Sequence, residues 1–509
     1  MFKAHPFMRK VLKILAVQPL PTLLEPGSYV RNCCLEPLGL EYVAAALEAA
    51  GHKVTICYPV RSVNEFISFF KKSTYDVVCF SVYTYALPLC YSCAKAVKME
   101  NPQVFIVFGG HHPSLMPSET LKNKAVDTVV VGEGEQTIVE LVNSYGSQNP
   151  FSNVDGICYK NNKGKSVLNK ERKRINDLDC LPWPVRDKEL LLQARNYQVI
   201  TPPPSEQKGL AQITFSRGCH YNCRYCTSPV FWKRKVKWRS PTDVLNEIEF
   251  LIENYQVNLF YFCDLTINSD KQRLMDLCKE FIKRQINVCW WGLFSPDVID
   301  YELLCALKDA GCVKLSIGVE GANQRAFRFL KGSRSIDWND IADLFVTAWN
   351  MGFITRAFFM IGNIGDTVSY YQRMFEFVEQ LCVDDMRVCF TVPFPGTRSY
   401  WNLKDQALLR SENVRDYTTE VPLIKNEFSN EQLFSWQKQV VEKLYCSTAY
   451  KERVLQRCRS QRRFVQSYLE HFSFLLNSRD ISTQMRNGLR NLSRIMTNEE
   501  LCHNLVSNL

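Results

Sequence analysis

A chain of 509 residues, 46% hydrophobic and 22% charged, has the balance of a folded protein and the length of two or three domains. Its net charge of +10 is modest, no nucleic-acid motif accompanies it, and no apolar run nears the ~18 residues that span a bilayer. Twenty-one cysteines in so long a chain do not make a secreted disulfide framework, so most read as free thiols of a cytoplasmic protein, packed as small hydrophobes.

The opening "MFKAHPFMRKVLKILAVQPLP" imitates a secretory leader, but Lys13 interrupts its apolar centre and Pro19 and Pro21 follow without a cleavage site. Val11–Val17 therefore reads as a buried strand. Further apolar runs follow at "KVTICY", "DVVCFSVY", "VFIVFGG" and "DTVVVGE". They alternate with the helical patterns "LGLEYVAAALEAAG", "VNEFISFFKKS", "YSCAKAVKME", "LKNK" and "EQTIVELVNS". Strands this apolar, joined by crossovers of this length, predict an α/β fold over 1–150: a doubly wound, Rossmann-like parallel sheet with helices on both faces. Gly51 is placed to end the first helix. The Cys33–Cys34 pair has no ligand spacing around it.

Ligands of such a sheet sit beyond the carboxyl ends of its strands. Those positions hold "SVYT" (Ser81–Thr84), "GGHHP" (Gly109–Pro113) and "GEGE" (Gly132–Glu135). Small residues there let a large ligand approach the backbone, although glycines also serve plain strand-to-helix turns.

Residues 151–206 read as a hairpin turning at "NNKGK" and a proline-rich linker ending in "TPPPSEQKG". From 207 to 404 a second alternation runs through "QITFS", "LFYFCD", "VCWWGL", "VKLSIGVE", "TRAFFMIG" and "RVCFTVPF", predicting a partial (β/α)6 barrel with its chemistry at the strand ends. Residues 405–509 predict amphipathic helices whose basic face reads as solvated surface.

After the first barrel strand comes "FSRGCHYNCRYCTSP". Cys219, Cys223 and Cys226 share one tight loop in a C-x3-C-x2-C pattern. A structural zinc site wants four protein ligands, and His220, adjacent to Cys219, is poorly placed to supply the fourth. A four-iron cluster on three thiolates leaves one iron open to a cofactor or substrate, which suits the loop better.

With Tyr225 before the last cysteine, this loop resembles the signature of radical S-adenosylmethionine enzymes. "LEPLGLEYVAAALEAAGHKV", "FGGHHPSL" and "VVVGEGEQTIVEL", with "RSPTDVLNEIEFL", "ELLCALKDAGCVKLSIGVE" and "VPFPGTRSY", resemble the cobalamin-dependent branch. The resemblance implies a cobalamin-binding first domain and a radical S-adenosylmethionine barrel. It implies a 4Fe-4S cluster on Cys219, Cys223 and Cys226 whose open iron chelates S-adenosylmethionine, yielding a 5′-deoxyadenosyl radical on one-electron cleavage. Tyr225, Asp264 and Glu320 fall near that cofactor. Ser81, Tyr83, Gly109, Gly110, His112, Gly132, Glu133 and Glu135 fall near cobalamin. No D-x-H-x-x-G element occurs, so no protein histidine is expected below cobalt.

Some positions depart from the branch. "FCDLTIN" keeps Asp264 where paired aspartates are usual, "GVEGA" (Gly318–Ala322) stands for "GVESG", and "GNIGDT" (Gly362–Thr367) for "GLPGET". The implied activity is methylation of an unactivated carbon in a biosynthetic intermediate. Ring formation or rearrangement with the same cofactors is the alternative, and a non-catalytic corrinoid or iron–sulfur binder a second. The implied partners are a small-molecule or peptide substrate and an electron donor such as flavodoxin or ferredoxin, with neither nucleic acid nor a membrane span.

Overall fold

The computed structural model describes residues 10–20, 35–145, 151–193, 208–321, 330–331, 337–462, 464–477 and 481–498. Cys33–Cys34, Ala322 of "GVEGA" and all but the last two residues of "TPPPSEQKG" lie outside them.

In the first sheet β1 (Lys13–Pro19) lies between β2 (Lys53–Val60) and β3 (Val77–Ser81), followed by β4 (Phe105–Gly109) and β5 (Thr128–Val130), all parallel. Two cores explain why the strands are apolar on both faces. Leu15, Val17, Val78, Phe80, Ile106 and Phe108 fill one; Ile14, Val77, Cys79, Phe105 and Val107 fill the other. The hairpin turning at Asn161–Lys165 joins this sheet, β6 (Ile157–Lys160) and β7 (Ser166–Leu168) adding antiparallel strands beyond β5.

The first helix, Leu38–Ala49, ends where Gly51 takes φ +92 and His52 N–H turns back to the Leu47 carbonyl. The crossover from β4 to β5 differs from its sequence pattern. "LKNK" forms a turn, and the helical part lies earlier, in the short helices His111–Leu115 and Pro117–Thr120. Pro117 starts the second of these, and Asn123 Oδ1 takes Ala125 N–H at 3.0 Å, a local bond that competes with helix.

The second sheet begins with β8 (Leu210–Ile213), which leads into a two-stranded antiparallel ribbon of β9 (Ser216–Gly218) and β10 (Val236–Trp238). Next come β11 (Leu259–Phe262), β12 (Cys289–Phe294), β13 (Cys312–Glu320), β14 (Ile354–Ile361) and β15 (Asp385–Phe390), pairing in that order, all parallel. This is the expected partial barrel, open between β8 and β15. Its helix-facing side chains, among them Phe260, Trp290, Leu315, Phe359 and Val388, form one core with the surrounding helices.

Four further helices, Asn430–Cys446, Thr448–Ser460, Phe464–Leu476 and Thr483–Thr497, close the amino ends of the last barrel strands. Tyr450 donates to the Asp384 carbonyl at 3.1 Å, Tyr445 to Asp385 Oδ1 at 3.4 Å, and Arg457 to the Phe353 carbonyl at 2.8 Å. Buried among them, Asp385 pairs with Arg356 and Lys314. Among the described residues no helix is long and apolar enough to cross a membrane.

Candidate functional site

The cysteine loop is built from its base upward. Just past β11, buried Asp264 receives Phe215 N–H (3.0 Å), Ser216 N–H (2.5 Å) and the Ser216 hydroxyl (2.5 Å), which turns the chain from β8 into β9. Burial raises this carboxyl to about 6 against the pull of its donors. Gly218 has φ +106, and a Cβ there would sit 2.1 Å from the Lys235 carbonyl oxygen, so the ribbon closes only on glycine.

Beyond it Cys219 and Cys223 are buried and Cys226 half-buried. Cys219 Sγ lies 3.8 Å from Thr266 Oγ1, and Ser228 N–H donates to Cys226 Sγ at 3.4 Å. Burial first, then the company of the other two thiols, pushes Cys226 up to about 12, so thiolates here call for cationic partners. Among the described residues no three His, Cys, Asp or Glu converge on one metal-ion position. In an iron–sulfur cluster each thiolate holds a different iron, so no single point of convergence is needed.

Glu320 ends β13 at φ +68, where the register against β14 shifts. Its Oε1 accepts Tyr225 O–H at 3.0 Å and pairs with Lys331 Nζ at 2.8 Å. Arg224 N–H donates to the Leu330 carbonyl at 3.0 Å, so the cysteine loop is bound both to the end of β13 and to residue 330. A left-handed glutamate held by two partners is a strained, fixed carboxylate.

Beside this loop a cavity of about 390 Å³ lies between the carboxyl ends of the first sheet and those of β8 and β11 in the second. Ser81, Tyr83, Gly109, Gly110, Gly132, Glu133 and Glu135 all line it, gathered from three strand ends. Gln212, Thr214, Ser216, Arg217, Gly218, Cys263 and Leu265 face it from the barrel. Tyr83 stacks on His111 (5.7 Å between ring centres), which meets Phe231 at 5.1 Å.

One residue expected at the cavity lies off it. His112 is buried, its Nδ1 3.2 Å from Thr84 Oγ1, and the histidine on the cavity is His111. Tyr225, Asp264 and Glu320 belong to the cysteine loop and its supports rather than to the cavity.

Charges knit the two sides together. Arg217 pairs with Glu135 at 2.7 Å and Glu133 at 3.4 Å, and its guanidinium lies 4.7 Å over the Tyr42 ring. Deeper in, Arg186 binds Glu36 and Glu247, each at 2.6 Å, and Arg239 binds Glu247 at 2.6 Å. The sequence offered His111 as a candidate beside His112, but singled out none of Arg217, Glu36 or Tyr42. Arg217 stood inside the quoted cysteine stretch, two residues before Cys219, and its position there was the available signal.

Residues 30–142 match the family model of the B12 binding domain, and residues 213–378 that of the Radical SAM superfamily. The chain is a B12-binding radical SAM protein. A relative from Pyrococcus horikoshii, "Uncharacterized methyltransferase PH0819", is 28% identical over 472 residues, 92% of this chain and 97% of its own. The "Anaerobic magnesium-protoporphyrin IX monomethyl ester cyclase" of Rubrivivax gelatinosus is 26% identical over 405 residues, 76% of this chain and 70% of its own. The radical S-adenosylmethionine methyltransferase TsrM of Kitasatospora setae, solved with cobalamin and a [4Fe-4S] cluster, shares the fold. Its TM-score is 0.63 at 16% identity, over 84% of this chain and 85% of that one.

The residues present fit a corrinoid in a B12-binding radical SAM protein. Gly132, φ +85, lines the cavity with nothing within 4 Å of where its Cβ would stand, so the wall there is bare backbone. Such a wall accepts a large, rigid ligand at close approach.

Proposed function

We propose that this protein methylates an unactivated carbon of a small-molecule or peptide intermediate, using cobalamin, a [4Fe-4S] cluster and S-adenosylmethionine. The observation that carries the reading is the shared cavity: the ligand end of the first sheet and the base of the cysteine loop face the same space. When bound, the cluster supplies an electron that cleaves S-adenosylmethionine to a carbon radical, and cobalamin supplies a transferable methyl group.

The chain's own residues do the rest. Cys219, Cys223 and Cys226 would hold the cluster, leaving one iron open to S-adenosylmethionine. Asp264 and Gly218 fix the path of the loop that carries them. Glu320, braced by Tyr225 and Lys331, offers a carboxylate to the ribose hydroxyls or the ammonium of S-adenosylmethionine. Gly109, Gly110 and Gly132 let cobalamin reach the backbone, with Ser81 and Tyr83 beside it. Phe231, Trp232 and Leu265 on the cavity wall help to keep water from the radical. A cytoplasmic one-electron donor completes the cycle.

The cyclase relative supports a second reading, ring formation with the same cofactors and no methyl transfer. Anaerobic reconstitution separates the two. The protein should hold about four irons and, once reduced, should turn S-adenosylmethionine into both 5′-deoxyadenosine and S-adenosylhomocysteine. 5′-Deoxyadenosine without S-adenosylhomocysteine would favour ring formation. Neither product would make the protein a binder. Replacing Cys219, Cys223 and Cys226 together with alanine should abolish the cluster and both products.

A further inference from the structure

Arg217 stands at the junction of the two halves. It lies on β9, followed directly by Gly218 and Cys219, so its backbone is part of the cysteine loop's base. Its side-chain partners all belong to the other half. Glu133 lies in the turn after β5, Glu135 opens the helix Glu135–Ser144, and Tyr42 sits on the first helix.

The surroundings reinforce this geometry. The guanidinium and both carboxylates are largely withdrawn from water, where an ion pair with two hydrogen-bonded partners is far less screened than at the surface. Arg174 adds a second hold. It donates to the Lys235 carbonyl at 2.8 Å and the Arg217 carbonyl at 3.1 Å, clasping the ribbon, while its Nε lies 3.6 Å from Glu133. Ile175 N–H donates to Glu133 Oε2 at 3.1 Å. Glu133 is thus gripped by Arg174, Arg217 and a backbone amide, and is committed to this junction.

We propose that Arg217 is a positioning residue: through Glu133 and Glu135 it locks the base of the cysteine loop to the cofactor turn and so sets the spacing between cluster and cobalamin. The inference rests on the reading of the cavity as the corrinoid site. A fixed spacing matters because a carbon radical must meet its methyl source before it meets anything else, and small misplacements are costly in such reactions.

Two measurements test it without a substrate. Hydrogen exchange on the cofactor-free protein should show Arg217→Met raising exchange about tenfold in residues 132–138 as well as 216–226, because both sides of the lock open together. In protein loaded with cluster and hydroxocobalamin, then reduced, pulsed electron paramagnetic resonance reads the distance between Co(II) and the reduced cluster. Wild type should give a narrow distribution and Arg217→Met one about twice as broad, with iron content unchanged. Arg217→Glu combined with Glu135→Arg should narrow it again. A merely structural arginine would alter melting but not this width.

If Arg217→Met fails to fold, Arg217→Lys, which keeps charge but loses the fork, and Glu135→Gln carry the same test at smaller amplitude. Exchange confined to 216–226, or an unchanged distance distribution in a folded variant, overturns the proposal. Wild type that binds no cobalamin overturns the corrinoid reading instead, and the exchange result still decides whether Arg217 locks the two segments.

Discussion

Gly110→Ala should do more damage than the same methyl group added at Gly132, across the cavity wall. Gly110 has φ +92 and ψ −163, a region that essentially only glycine enters, and placing alanine there costs about 1–3 kcal/mol of backbone strain. The added Cβ would also lie 2.9 Å from Val82 N, 3.3 Å from Val82 O and 3.4 Å from Ser81 Oγ. Val82 cannot retreat cheaply, because its N–H donates to the Gly109 carbonyl at 2.9 Å and its carbonyl accepts His112 N–H at 3.1 Å. Loosening both bonds adds about 1 kcal/mol each, for a total of about 3–5 kcal/mol. That is a large share of the roughly 5–15 kcal/mol by which domains are stable. Gly132→Ala is the control: it also has positive φ (+85), but nothing lies within 4 Å of its Cβ, so only strain of about 1–2 kcal/mol applies. Urea unfolding of the two variants should therefore separate by about 2 kcal/mol, Gly110→Ala being the weaker. Absorbance titration with cobalamin should show Gly110→Ala losing about tenfold or more in affinity, since the same methyl group pushes on Ser81, which lines the cavity. Equal unfolding midpoints would refute the clash, and wild-type affinity in a folded Gly110→Ala would refute the placing of cobalamin at this turn.

Burial holds His112 down to about 4, against 6.5 for a free imidazole. As pH falls from about 6.5 towards 4 the unfolded chain takes up a proton that the fold refuses, and up to about 3 kcal/mol of stability present at neutral pH is lost. His112→Gln should flatten that slope between pH 7 and 5 in urea unfolding, and an unchanged slope would remove His112 as its source. Glu320→Gln should keep its iron but cleave S-adenosylmethionine about tenfold or more slowly; loss of the cluster instead would make the carboxylate structural. Asp264→Ala strands three buried donors at about 1–3 kcal/mol each, so both the melting temperature and iron retention should fall, and normal iron retention would contradict its role at the loop's base.

The parallel sheets were legible because burial on both faces forces apolar strands, and crossover lengths leave few alternatives for their connection. The cysteine loop was legible because its ligands are neighbours in sequence. What escaped was what depends on distant pairings. Arg217 meets Glu133 across 84 residues and Arg186 meets Glu36 across 150, and no local pattern announces either. The ribbon of β9 and β10 has only three residues per strand, too few for a periodic signal. The choice between His111 and His112 turned on a short helix whose orientation the neighbouring glycines and Pro113 do not determine. The resemblance placed Asp264 near S-adenosylmethionine, and no local pattern showed that its oxygens also accept from Phe215 and Ser216.

The helices that stopper the barrel impose an order on its birth. Asp384 and Asp385 wait at the amino end of the last strand for Tyr445, Tyr450, Arg457 and Tyr468, all encoded after every residue of the cysteine loop and the cavity. A ribosome therefore releases the whole of the chemistry before it releases the floor beneath it. Until those helices emerge, a nascent barrel lacks the Tyr445, Tyr450 and Tyr468 hydroxyls that meet Asp384 and Asp385 at its amino end. A stop codon between residues 400 and 445 would spare each residue named in the mechanism and still remove the floor of the barrel.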